Sequence, residues 1–246
     1  MKSIILAAGK GTRLHSAEHD CPKVMHTING KPLLEIALGL VDFIDKKDIT
    51  IVVGYKKEQI IDTFGDKYNY VEQKEQLGTG HAVSMCAELF ENYDGNVIVT
   101  YGDMPLYRKQ SLKNLCDYHE KVGADCTVMS AYNPNLPTYG RIVRNRCGNF
   151  KGIIEAKDCT EEQLKITECN SGVAVFNSKS LFKVLPLLQS NNKQNEYYLT
   201  DVPALMMSKK MKVDVFAIED GEEILGVNTP EELIACEEIL NKRNDI

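Results

Sequence analysis

Short runs of β-branched and apolar residues alternate, through the first half of this chain, with stretches whose apolar positions recur every three or four residues. Residues 4–8, 49–55, 70–73, 96–101 and 126–131 read as strands, and residues 33–44, 57–64, 81–90 and 110–122 as helices. That alternation leaves few options. Strands joined by right-handed helical crossovers lie in a mostly parallel sheet with helices on both faces, which predicts a three-layer α/β sandwich. Each strand-to-helix loop then falls on one edge of the sheet, where open α/β sheets hold their ligands.

The rhythm changes after residue 132. Residues 139–144 and 149–155 flank Gly148 and predict a small added β-hairpin beside the main sheet. A short acidic helix follows over 160–164, with Thr160 as its cap. Then come a strand at 171–177, helices at 181–189 and 198–209, and a strand at 212–218. A closing helix spans 230–241, capped by Thr229 and started by Pro230. No repeat, low-complexity tract or Pro/Gly/Ser-rich linker interrupts the 246 residues. A single domain over 1–246 is expected, with 1–132 and 133–246 as the two halves around a sugar-sized cleft.

A chain of this length buries roughly 70–75% of its unfolded surface and needs no metal or disulfide staple. Its net charge of −6 argues against a general nucleic-acid binder or a membrane-surface protein, so any positive field is local. Eight cysteines fall singly among apolar segments with no C-x-x-C, the pattern of buried thiols in a reducing cytosol. The opening apolar run is too short for a signal peptide and no run reaches membrane-spanning length, which predicts a cytoplasmic protein.

The first strand breaks at once into Gly9-Lys10-Gly11-Thr12-Arg13, with Lys23 a little further on beside Pro22. A strand running into a glycine-rich, doubly basic turn suits phosphate, which backbone N–H groups and nearby cations hold together. It is neither a Walker loop nor a dinucleotide fingerprint, because Gly9 and Gly11 are two apart and Leu14 stands where the third glycine would be. Further motifs leave later strand ends. Gln73, Gln76, Gly78 and Thr79 form a second glycine turn, whose amides suit a nucleobase edge, though Thr79 also reads as a plain helix cap. Asp103, after the apolar strand, suits a hard cation such as Mg²⁺ or else caps the next helix. Asn228 offers an oxygen to the same ion or simply makes the turn before Thr229. Gly140, Glu155 and Asn170 supply a glycine backbone, a carboxylate and an amide, the groups that hold sugar hydroxyls and an acetamido group, or else serve hairpin turns. His15, Glu18, His19, Asp20, Cys21 and His26 crowd the first loop without H-E-x-x-H spacing, and read as a polar loop over the phosphates rather than a transition-metal site.

Together LAAGKGTR at 6–13, PK at 22–23, QLGTGHA at 76–82, YGDMPL at 101–106, YGRIVR at 139–144, EYYLTD at 196–201 and GVN at 226–228 resemble the sugar-nucleotide pyrophosphorylases. Among these the chain is most similar to the uridylyltransferase domains that make UDP-N-acetylglucosamine. The resemblance implies a Rossmann-like nucleotidyltransferase fold and transfer of UMP from UTP to N-acetylglucosamine 1-phosphate. It implies that Leu6, Ala7, Ala8 and Gly9 lie along the nucleotide, and that Gln73, Gln76 and Gly78 read uracil with Thr79 nearby. Tyr101 and Gly102 would border the sugar side, and Gly140, Glu155 and Asn170 would hold the N-acetylglucosamine. Asp103 and Asn228 would hold Mg²⁺, while Arg13, Lys23 and Lys10 would be the catalytic cations. The chain departs from the family in a longer, more acidic loop over 14–22, and in Ala156 where a polar residue is usual. It also stops near where the family's β-helix acetyltransferase half would begin, so nucleotide transfer alone is expected. Another sugar 1-phosphate, CTP with a phosphorylated acceptor, or a nucleotide-sugar sensor are the other readings.

Overall fold

The computed structural model describes residues 1–16 and 18–243. In chain order the strands are β1 Lys2–Leu6, β2 Thr27–Ile28, β3 Lys31–Pro32, β4 Ile49–Val53, β5 Asn69–Glu72, β6 Asn96–Tyr101, β7 Cys126–Tyr132, β8 Arg141–Arg144, β9 Phe150–Ile154, β10 Glu168–Asn177 and β11 Val213–Ile218. The helices are α1 Leu33–Leu40, α2 Lys57–Phe64, α3 Thr79–Ser84, α4 Ala87–Phe90, α5 Lys109–Val122, α6 Glu161–Leu164, α7 Ser178–Val184, α8 Val202–Ser208 and α9 Pro230–Arg243.

One sheet runs in the order β11-β7-β10-β6-β1-β4-β5, with β8 and β9 attached at its side. β1 pairs in parallel with β4 and β6, β4 with β5, and β11 with β7. β10 is antiparallel to both β6 and β7, which makes the sheet mixed though mostly parallel. The hairpin of β8 and β9 joins it where Arg141 meets Cys169 on β10.

Alternation along β1 sorts the core into two layers. Ile5 and Ala7 face one side with Leu34, Leu38, Leu112 and Leu115, from α1 and α5. Ile4, Leu6 and Ala8 face the other, with Val83 from α3, Leu181 from α7 and Met206 from α8. Each such fully buried Leu or Ile contributes on the order of 1.5–3 kcal/mol. A third cluster seats α9, where Cys236 and Leu240 pack with Leu14, Ile28, Leu33, Leu106 and Val227. That contact brings the end of the chain against the loop that follows β1.

Several expected boundaries shift for local reasons. The helix expected over 81–90 is two pieces, because Cys86 bonds back three residues to Val83 and tightens the turn. The helix expected over 181–189 stops as an α-helix at Val184, and Pro186 lies in the 3₁₀ turn that follows. It also starts earlier, with the Asn177 side chain accepting from Ser180 N at 3.1 Å. The strand expected at 171–177 begins at Glu168 and is interrupted by a bulge between Asn170 and Ala174. All eight cysteines are free thiols, but the expectation of buried ones holds for only part of the set: Cys147 is exposed, and Cys21 and Cys159 are half-buried. Among the described residues, no helix is long and apolar enough to cross a membrane.

Candidate active site

The loop after β1 turns back on itself at Gly11. Its φ of 66° is left-handed, and a Cβ there would lie 2.2 Å from Ser16 Oγ and 2.9 Å from Lys23 Cβ, so glycine alone fits. Gly11 O accepts from Leu14 N at 3.0 Å and Ser16 N at 3.2 Å. The N–H groups of residues 9–13 donate to no protein acceptor among the described residues. Gly9 itself has open space where a Cβ would be, so its place in the motif needs no steric explanation.

Backbone bonds then draw the other loops in. Gly102 N donates to Leu6 O at 3.0 Å, and Val227 N donates to Asp103 O at 2.9 Å. The consequence is a charged cluster. Lys23 Nζ donates to the Asp103 carboxylate and, at 2.9 Å, to Asn228 Oδ1, while Arg13 Nη2 reaches the same Asn228 oxygen at 3.3 Å. Residues 13, 23, 103 and 228 thus meet in one hydrogen-bonded cluster. Asp103 does not cap a helix, since α5 starts six residues later behind Arg108. Asn228 is held by the start of α9: its N–H donates to Glu232 Oε2 at 2.6 Å, Thr229 N donates to the same oxygen at 3.2 Å, and Glu232 N donates to Thr229 Oγ1 at 3.3 Å. That reciprocal capping box carries out the cap expected of Thr229 and aims Asn228 as well. Lys10 stands exposed and makes no hydrogen bond to this cluster.

The second glycine turn is a docked segment. Tyr197 N donates to Leu77 O and Gly80 N to Tyr197 O, both at 2.8 Å. Thr79 does not cap α3 with its side chain; its Oγ1 accepts instead from Leu199 N at 3.0 Å. Buried Gln73 uses its amide nitrogen internally, 3.0 Å from both Gly78 O and His81 Nδ1, and so fixes the turn. Gln76 is half-buried and bonds to Gln73 O at 3.2 Å, beside Ala8 and Gly54.

On the far side, the β10 bulge presents Asn170, whose N–H donates to Gly140 O at 2.8 Å and whose Oδ1 accepts from Gly172 N at 3.2 Å. Gly172 has φ 93°, and a Cβ there would meet the Tyr101 ring at 2.9 Å. Glu155 accepts from Thr200 Oγ1 at 2.8 Å. Burial holds the Glu155 carboxyl above its ordinary range; the Thr200 hydrogen bond opposes this and the Asp201 charge adds to it. Burial also pushes the Tyr101 hydroxyl up, so it stays a neutral donor. A depression lined by Tyr101, Asn170, Gly172, Leu199 and Thr200 joins the bulge to the docked segment.

Sequence reasoning missed Thr200 and Tyr197, although both lie in the EYYLTD stretch, and Glu232, whose place at the third helical position is the capping-box signal. In the first loop, His15 pairs with Glu18, Ser16 bonds to His26, and Lys56 and Gln59 hold Asp20. Among the described residues, no group of three His, Cys, Asp or Glu side chains could hold a metal there or elsewhere. Within that loop, Ala17 lies outside the described residues.

Comparison with known proteins bears on the family and the fold. The pattern described as "MobA-like NTP transferase domain" matches residues 3–195. "Bifunctional protein GlmU" of Streptococcus pyogenes serotype M3 is 41% identical over 241 residues, which is 98% of this chain and 52% of that protein. The proteins of the same name from Streptococcus agalactiae serotype V and Enterococcus faecalis are 42% and 39% identical over the same shares. The chain spans about half the length of the curated relatives it matches. Among solved structures, apo UDP-glucose pyrophosphorylase superposes with a TM-score of 0.78 at 19% identity, covering 99% of each chain. Its complex with UDP-glucose gives 0.77 at 20%, covering 98% of each. With that match over residues 3–195, most of its length, the chain belongs to the NTP transferase family represented by the MobA-like domain.

Proposed function

We propose that this chain is a uridylyltransferase that makes UDP-N-acetylglucosamine and pyrophosphate from UTP and N-acetylglucosamine 1-phosphate. The observation that carries the reading is the convergence of Arg13, Lys23, Asp103 and Asn228 from three separate loops into one side-chain cluster. A binding protein for a nucleotide sugar has no need of that full set. Identity near 41% to the GlmU proteins supports it.

In the reaction an oxygen of the sugar phosphate attacks the α-phosphorus of UTP. A new P–O bond forms while the bond from the α-phosphorus to the bridging oxygen breaks, and its electron pair leaves with pyrophosphate. The nucleophile is already ionised near neutral pH, since the second pKa of a phosphate monoester is about 6. No protein base is required. The protein supplies alignment for in-line attack and positive charge where the anions crowd. Arg13 and Lys10 stabilise the departing pyrophosphate, Lys23 binds a phosphate next to the reacting centre, and the free N–H groups of residues 9–13 orient the triphosphate.

The donor set suits Mg²⁺. Asp103 offers a carboxylate and Asn228 an amide oxygen, two hard protein ligands of the kind that leave room for phosphate oxygens and water. When bound, the ion supplies Lewis-acid neutralisation of the phosphates. Leu6, Ala7, Ala8 and Gly9 flank the nucleotide, with Gln76, Gly78 and Thr79 at the base and Gln73 bracing their turn. Gly140, Glu155, Asn170, Tyr101 and Gly102 receive the sugar. Residues 1–132 therefore serve mainly the nucleotide, and 133–246 the sugar and the closing helix, within one domain.

The test is a panel of nucleoside triphosphates against sugar 1-phosphates and phosphorylated alcohols, read as pyrophosphate release. UTP with N-acetylglucosamine 1-phosphate should exceed every other pair, and release should stop in excess chelator. Faster release with CTP, or with another sugar 1-phosphate, would reassign the substrates.

A further inference from the structure

Lys23 stands where a metal ion would have to bind. Its ammonium donates to the Asp103 carboxylate and to Asn228 Oδ1 at 2.9 Å, and Arg13 approaches the second oxygen at 3.3 Å. The Lys23 and Asp103 side chains are 13% and 20% exposed, so solvent screens the pair weakly. One Asp103 carboxylate oxygen and the Asn228 amide oxygen, both suited to a divalent cation, already face protein cations.

The backbone at Lys23 has little freedom. Pro22 precedes it, a 3₁₀ turn over Lys23–Met25 follows, and its Cβ sits against Gly11. Its long side chain is what can move. A bound triphosphate offers the ammonium several anionic oxygens on the neighbouring loop, in place of one carboxylate.

We infer that Lys23 is a resident counter-ion of the metal site, which keeps Asp103 and Asn228 aligned and a divalent cation out until a triphosphate draws the ammonium away. The inference rests on the proposed reading of Asp103 and Asn228 as metal ligands. It makes metal and nucleotide binding mutually dependent through one side chain, since each ligand favours the arrangement with Lys23 off the carboxylate.

The test uses Mn²⁺ in place of Mg²⁺, titrated into nucleotide-free protein and read by loss of the aqueous Mn²⁺ EPR signal. Wild type should bind weakly. Lys23→Met should bind on the order of 10-fold more tightly, within the usual range of coupling between sites. Lys23→Met combined with Asp103→Ala should lose the gain. Lys23→Gln serves as a second variant, and thermal melts confirm that each is folded. If both Lys23 variants bind Mn²⁺ no better than wild type, or if the gain survives Asp103→Ala, the counter-ion role is overturned. Pyrophosphate release by the wild type judges the enzymatic reading separately. Turnover without a Lys23 effect on Mn²⁺ removes only the counter-ion role, whereas no turnover on any substrate pair removes the reading and that role with it.

Discussion

The two sides of the site are built differently. On the side proposed for the phosphates, Arg13, Lys23, Asp103 and Asn228 sit on loops and hold one another through ionic and charge-assisted contacts between side chains. On the side proposed for the sugar, Gly140, Asn170 and Gly172 are joined through backbone groups on a hairpin and a bulged strand, and Glu155 is tied to Thr200. The first side is two cations sharing one carboxylate and one amide oxygen, a set that carries a net positive charge and can exchange partners when a ligand brings charge of its own. The second is a shape set by the sheet, with burial keeping its carboxyl partly deprived of water. Charge handling and recognition are therefore separable, and substitutions should separate them.

The largest effects belong to the charged side. Asp103→Ala and Arg13→Ala should each lower turnover by on the order of 10²–10³, as loss of one stabilising group commonly does, with melting temperature little changed. Pyrophosphate release beside thermal melts checks this, and wild-type turnover in either variant would break the division. On the other side, Thr200→Val removes the bond to Glu155 and should raise KM for the sugar phosphate by about 5- to 10-fold, about what one hydrogen bond is worth. Turnover at saturating sugar phosphate should hold.

Glu155→Gln sharpens the same contrast through pH. The Glu155 carboxyl lies above its ordinary 4.5 because burial disfavours its charge. The fold therefore escapes that cost below the ordinary value and bears it fully once pH has risen through the raised one. Glu155→Gln should melt higher than wild type near neutral pH, and the gap should close as pH falls below 4.5. A gap that widens on acidification would contradict the burial argument. The smallest effect expected is at the hinge between charge and scaffold. Thr229→Ala removes a cap worth about 1 kcal/mol, or about 2–4 °C in a protein of this size, and should cost some activity by loosening Asn228.

Much of this was legible residue by residue. The strand at 96–101 and the helix at 57–64 emerge with the expected boundaries, because their patterns are local and complete. Thr160 forms the expected cap, with Gln163 completing a box. The four charged and amide residues proposed for chemistry do meet. Other readings failed where a distant partner intervened. Thr79 looks like a cap, yet its hydroxyl is taken by Leu199, 120 positions away. Gln73 differs in kind, because the partners that hold its amide nitrogen, Gly78 and His81, lie within its own turn. Nothing local in β10 marks it as the antiparallel strand between β6 and β7, because its apolar run is the same in either direction.

The order of residues by itself determined the layered α/β architecture, the glycine-rich basic turn after β1 and the kinds of side chain delivered to the sheet edge. Those are matters of periodicity, glycine and charge within a few residues of one another. Only the tertiary structure decided that Lys23 meets Asn228 across 205 positions, and that Asp103 faces that lysine. The order of strands in the sheet and the seating of α9 set those distances, and each depends on burial shared between segments that carry no record of one another.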